Sequence, residues 1–143
     1  MTFLLDVNVL IALIDGLHVH HDPAHRWFHA TGRKQWATCP FTENAVLRIV
    51  GSPAYFNSPG TPAVVSEILA ALRALPGHVF WHDDLSLMDC PVVDPSRFLH
   101  SSQISDTYLL ALAVTHGGQL ATFDRRLVVN AVRDGANALH VIM

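Results

Sequence analysis

The chain has 143 residues, half of them hydrophobic, enough to bury the core of a single compact domain spanning residues 1 to 143. Nine basic against twelve acidic residues give a formal charge of −3, which excludes a generally basic nucleic-acid binder and leaves RNA contact to a local patch or to metal. Two cysteines, Cys39 and Cys90, make no disulfide framework, and the opening Met1 to Asp6 carries no basic region and meets an acid at position 6, so a soluble, cytoplasmic protein with no membrane partner is expected.

In chain order, Phe3 to Asp6 is an apolar run ending in an acid, suited to a buried parallel strand. A helix is predicted from Asn8 to Ile14, closed by Asp15-Gly16. A second should start with Asp22 as N-cap and Pro23 at its first position. Trp36 to Cys39 reads as a strand stopped by Pro40, and Thr42 as the cap of a helix carrying Val46, Leu47 and Val50. Gly51 to Pro62 is a loop.

Pro62 to Leu75 predicts a helix whose Val64, Val65, Ile68, Leu69, Leu72 and Leu75 make it apolar over much of its surface, with part of that surface expected at a dimer interface. His78 to Trp81 suits a short strand. Asp83 to Arg97 follows no pattern. Ile104 to His116 is the clearest helix, capped by Ser102 or Ser105 and stopped by Gly117-Gly118. A strand over Leu120 to Phe123, a helix over Arg125 to Arg133 and a strand over Ala138 to Ile142 complete the reading. Strands alternating with helices predict an α/β fold of three layers, α/β/α, around a mainly parallel sheet.

Four of the twelve acids sit where solvated surface acids usually do not. Asp6 and Asp124 directly follow strands, and ligands of parallel α/β sheets bind outside the carboxyl ends of strands. Glu43 comes just after a helix cap, and Asp106 lies in the first turn of a helix. Each alone reads equally as a group stabilised by a helix N-terminus. Asp106 argues further, because its helix is apolar all round and carries no basic residue before His116. A carboxylate there needs a partner, and a shared divalent cation satisfies several at once. Oxygen-only ligands suit Mg²⁺ or Mn²⁺ better than zinc.

Two residues, Asn8 and Thr122, are placed to hold these carboxylates by hydrogen bonds. Arg125 and Arg126, directly after Asp124, are placed to meet RNA phosphates at the rim, with Arg48, Arg97, Tyr55 and Phe56 as further candidates for that surface. A different chemistry is suggested by His18, His20, His21, His25 and His29. Three of these, His21, His25 and His29, repeat at helical spacing and allow a zinc reading, although no H-E-x-x-H motif is present.

Taken together, the strand-Asp6-x-Asn8 start, Thr42-Glu43, Asp106-x-x-x-Leu110-Ala111 and Thr122-Phe123-Asp124 resemble the PIN-domain signature in order and spacing. The resemblance spans nearly the whole chain, and the small size is similar to that of VapC toxins of toxin–antitoxin pairs. It implies a parallel-sheet fold and a metal-dependent endoribonuclease, with Mg²⁺ or Mn²⁺ held by Asp6, Glu43, Asp106 and Asp124. It also implies a transfer- or ribosomal-RNA substrate, products with a 5′-phosphate and a 3′-hydroxyl, a homodimer and a cognate antitoxin partner. Two other readings stay open. An aspartyl-phosphatase of the haloacid dehalogenase type also starts with strand-Asp but needs a second Asp where Asn8 stands. A catalytically silent binding module would keep the fold and only capture a partner.

Overall fold

Parallel pairing needs a crossover between strands, and this chain provides one between each successive pair. The computed structural model describes residues 1–143. Five strands, β1 (Phe3–Leu5), β2 (Trp36–Thr38), β3 (His78–Phe80), β4 (Gln119–Thr122) and β5 (Leu139–Val141), form one all-parallel sheet in the order β3-β2-β1-β4-β5. The order reverses at β1, whose neighbours are β2 on one side and β4 on the other. The crevice beyond the C-terminal ends of β1 and β4 is therefore the topological switch point, where open α/β sheets bind ligands.

Alternate residues of the buried strands supply two cores. One face gives Phe3, Leu5, Trp36 and Ala121, covered by α1 (Val7–Ile14), α2 (His21–Ala30), α3 (Pro40–Val50) and α4 (Pro62–Arg73). The other gives Leu4, Ala37 and Leu120, covered by α5 (Ile104–Thr115) together with Trp81, Leu127, Val132 and Ala138 from irregular segments. The result is the predicted three-layer α/β/α arrangement. No helix is long and apolar enough to cross a membrane.

Several local expectations are corrected. Residues Arg125 to Arg133 form turns and no helix, with Val132 bridged antiparallel to Val93. Helix α2 starts at His21, so Asp22 lies in its first turn and not at its cap. Thr42 does not precede α3; it is the third residue inside, where its hydroxyl accepts the Cys39 N–H (3.1 Å). Neither Ser102 nor Ser105 caps α5. The buried Gln103 organises that start, its side chain accepting the N–H groups of Leu99 and His100 and donating to the Arg97 carbonyl. At the other end Gly117, at φ +68°, stops α5 as expected, with Gly118 N–H reaching back to the Ala113 carbonyl (2.9 Å).

Asp15 does more than end α1. It is buried, and its Oδ2 accepts from Tyr55 Oη (2.5 Å) and Asn57 Nδ2 (3.1 Å) while Oδ1 accepts from the Leu17 N–H (3.0 Å). Burial works against its charge, but these three donors outweigh it and hold the carboxyl below its ordinary pKa. An asparagine offers one acceptor oxygen where the carboxylate offers two. Asp15→Asn should therefore lose about 1–3 kcal/mol of stability, the cost of leaving a part-buried donor unmet. Urea unfolding checks this, and an unchanged midpoint would show that the latch carries no weight. Tyr55, bound to Asp15, is not free for an RNA surface.

Candidate active site

Asp6 ends β1 and caps α1, so the turn from strand to helix fixes its side chain at the switch point. Its Oδ1 accepts the Val7 N–H (2.7 Å), as a cap does, and its Oδ2 accepts the Thr122 hydroxyl (2.8 Å). Capping and site-building are thus the same geometry. From the neighbouring strand, Thr122 Oγ1 accepts from Asn8 Nδ2 (3.1 Å) and from the Asp124 N–H (3.0 Å), and Asn8 Oδ1 accepts the Phe123 N–H (3.2 Å). Asn8 and Thr122 therefore tie the end of β1 to the end of β4.

Asp106 approaches from the first turn of α5 on the opposite face and is half-buried. It has no ion-pair partner, and the Thr107 hydroxyl beside it is buried without a hydrogen bond. Asp124 lies exposed at the mouth, where its Oδ1 accepts the Arg126 N–H (2.9 Å). Desolvation pushes Asp6 above its ordinary pKa, although Thr122 and Val7 pull it back, and the Asp124 charge adds to the rise. Asp106 rises from 3.8 to about 6, first from desolvation and then from the charges of Asp6 and Asp124. These three carboxylates share one field.

Glu43, unlike them, is paired with a cation. It sits in the first turn of α3 and pairs with Arg73 of α4 (3.3 Å), while the Thr38 hydroxyl donates to its Oε2 (2.7 Å). Having given its proton to Glu43, Thr38 takes its other bond from His78 Nε2 (2.8 Å). Arg73 is 30 residues away in sequence and reaches Glu43 because α4 packs against α3.

No three of the chain's His, Cys, Asp and Glu side chains stand close enough to share one ion directly. The donor set still suits a hard cation that keeps much of its own water, because Mg²⁺ needs only one or two carboxylates of a protein. Three oxygen donors with no compensating cation, and a desolvated Asp6 with lone pairs to spare, fit that demand.

The zinc reading does not fit. His21 Nδ1 and His25 Nε2 each donate to a carbonyl at the end of α1, Ala12 (2.7 Å) and Leu13 (2.9 Å). His20 stacks on Phe123 at 4.5 Å between centroids, and His29 lies on the exposed side of α2. Arg125 and Arg126 are exposed and unpaired in the turn after Asp124, whereas Arg97 pairs with Asp94 (3.4 Å).

The raised Asp106 predicts a pH effect on the metal-free protein. A carboxyl that binds its proton more tightly when folded gives stability that is complete below 3.8 and lost as pH rises through about 6. The full shift corresponds to roughly 3 kcal/mol, but a half-exposed group is screened, so about 1 kcal/mol is expected. Melting temperatures of the chelated protein at pH 5 and 7.5 should show the decline, and Asp106→Asn should flatten it. An equal slope in the variant would assign the effect elsewhere.

Comparison with known proteins places this geometry. The PIN domain family model matches residues 3–132, and the chain belongs to the PIN-domain family. Among curated proteins it is similar to Ribonuclease VapC44 of Mycobacterium tuberculosis, 40% identical over 141 residues that cover 99% of this chain and 98% of the relative. Ribonuclease VapC39 of the same organism is 43% identical over 131 residues, covering 92% and 94%. Among solved structures, M. tuberculosis VapC20, described as a sarcin-ricin loop cleaving toxin, superposes with a TM-score of 0.64 at 12% identity, over 91% of this chain and 95% of its own. VapBC2 of Rickettsia felis, solved with a promoter DNA fragment, gives 0.55 at 8% identity, covering 99% and 98%. The last two speak for the fold alone.

Proposed function

We propose that this chain is the endoribonuclease toxin of a type II toxin–antitoxin pair, cleaving RNA phosphodiester bonds in the cytoplasm with Mg²⁺ or Mn²⁺. The observation that carries the reading is the trio Asp6, Asp106 and Asp124 at the switch point of a chain 40% identical to ribonucleases, with no cationic side chain set against it. A carboxylate cluster held open in this way is built for a cation and a phosphate. A silent binding module has no use for carboxylates set against one another in this way.

When bound, a divalent ion lowers the pKa of water and offsets the charge that builds as the phosphodiester is attacked. The chain's own groups do the rest. Asp6, fixed by Thr122 and Val7, and Asp106, on a rigid buried helix, hold the ion. Asp124 at the mouth orients the attacking water. Arg125 and Arg126 carry free guanidinium groups to the phosphates on either side. Glu43 belongs to the margin of the site, where it holds Arg73. The same reading includes an antitoxin whose basic side chain neutralises the acidic pocket, and a homodimer that covers the α4 surface around the exposed Val64.

Purified protein incubated with transfer or ribosomal RNA tests the reading. Cleavage should stop in chelator and return when Mg²⁺ or Mn²⁺ is restored, leaving 5′-phosphate ends. Activity undiminished by chelation would contradict a metal-dependent site.

A further inference from the structure

A second polar feature lies at the opposite end of the sheet. The single turn Gly32–Lys34 precedes β2, and the turn Leu75-Pro76-Gly77 precedes β3. Together with α2 they border an open cleft of about 460 Å³ lined by His25, Phe28, His29, Arg33, Lys34 and Leu75, with no carboxylate in its wall. In a chain of net charge −3 with a single lysine, this is an uneven placement of positive charge. Neither Arg33 nor Lys34 takes part in any of the three ion pairs, which use Arg73, Arg97 and His116. The floor is built and not incidental. Gly77 sits at φ +93°, and a Cβ there would stand 2.2 Å from the Arg33 carbonyl oxygen, so only glycine lets the two turns close on each other.

Gly77, in the wall of the cleft, leads directly into a sheet edge. β3 is the outermost strand and pairs only with β2, and its Val79 and Phe80 remain substantially exposed. At its C-terminal end the Arg73 guanidinium lies 5.3 Å from the Phe80 ring centroid, and His82 meets that ring edge-on at 5.3 Å. Three residues of strand span roughly 10 Å. Free cations at one end and exposed aromatic rings at the other, next to Glu43 and the acidic end of the sheet, are what a single strand of nucleic acid requires. Phosphates meet the cations and unstacked bases lie on the rings.

We propose that the cavity between α2 and the two turns binds a phosphodiester of the RNA substrate, and that the exposed edge of β3 carries the nucleotides from there toward the acids. The proposal rests on the ribonuclease reading, and the ligand chemistry is a phosphate ester flanked by unpaired bases. Arg33 and Lys34 make the phosphate contacts. Phe80 and His82 form the stacking platform.

The test measures binding of a labelled single-stranded RNA to the full chain in chelator, by anisotropy, over a range of salt. Arg33→Ala with Lys34→Ala should weaken binding about tenfold and make the salt slope shallower by roughly 1.4, two single-strand phosphate contacts at about 0.7 each. With metal restored, the larger part of the loss should fall on KM. The charge-preserving Arg33→Lys with Lys34→Arg should recover most of the affinity, which separates lost contacts from a disturbed fold. Unchanged affinity and slope in the double alanine variant would overturn the proposal. It also falls if that variant loses binding of free AMP or inorganic phosphate while keeping full RNA affinity, since the cavity would then serve a small phosphate ester. Failure of the ribonuclease reading looks different: no cleavage in any metal, whatever the double variant does to binding.

Discussion

Asp6→Asn and Asp106→Asn should each lower RNA cleavage by at least about a hundredfold while leaving the protein folded. Losses of that size accompany removal of one group from a preorganised charge-stabilising site. Asparagine is as good a helix cap as aspartate, so the Val7 N–H kept by Asp6 would still be met. The charge is what disappears. In Asp6→Asn the Thr122 hydroxyl loses its Oδ2 acceptor, but one of the two charges that add to desolvation in raising Asp106 goes as well, so the metal-free variant should stay folded. In Asp106→Asn the raised carboxyl itself is gone, and that variant should melt no lower than the parent at neutral pH. Asp124→Asn should act in the same direction and more mildly, because that carboxylate is exposed. Glu43→Gln disturbs the Arg73 pair first and should cost less activity than either. Asp15 is unsuited as a control, being itself a buried latch, whereas the exposed Asp89 serves. Full activity in either asparagine variant, free of contaminating nuclease, would mean that these two acids only cap helices.

The largest loss of stability should come from Leu110→Ala. Leu110 is fully buried, one turn beyond Asp106, where α5 packs against Leu4 and Leu120 of the sheet. Truncation removes transfer energy and leaves a cavity, together about 2–5 kcal/mol. At roughly 2.1 cal/mol/K per residue of unfolding entropy, 3 kcal/mol lowers the melting temperature of a chain this size by about 10 °C. Because the same helix carries Asp106, metal affinity should fall as well. A loss below about 1 kcal/mol would show that α5 relaxes to fill the space.

Much of this architecture was legible in residue order. Short apolar runs ending at Asp6 and Asp124 read as buried parallel strands, and the all-apolar α5 read as a covered helix. The turn region Arg125 to Arg133 misled because Leu127, Ala131 and Val132 are buried at spacings that a helix also gives. There the chain curls against α5, with Asp134 at φ +60°, and burial imitates helical period without the helix. The site was legible for Asp6, Asp106 and Asp124, whose strand ends and helix start sit where a sheet delivers them. The surroundings of Glu43 were not legible, since no local pattern shows that α4 packs Arg73 against it or that β3 brings His78 to Thr38. Asp15 closes α1 as read, but its latch was not legible, because its partners Tyr55 and Asn57 stand 40 and 42 residues away.

Calorimetric titration of Mn²⁺ into the metal-free protein at neutral pH tests the central claim most directly, because it reads the site without relying on cleavage. The account predicts saturable binding by the parent chain, a rise in melting temperature of the kind linkage requires, and loss of both in Asp6→Asn and Asp106→Asn but not in Asp89→Asn. Equal Mn²⁺ affinity in the parent and in both site variants would contradict it.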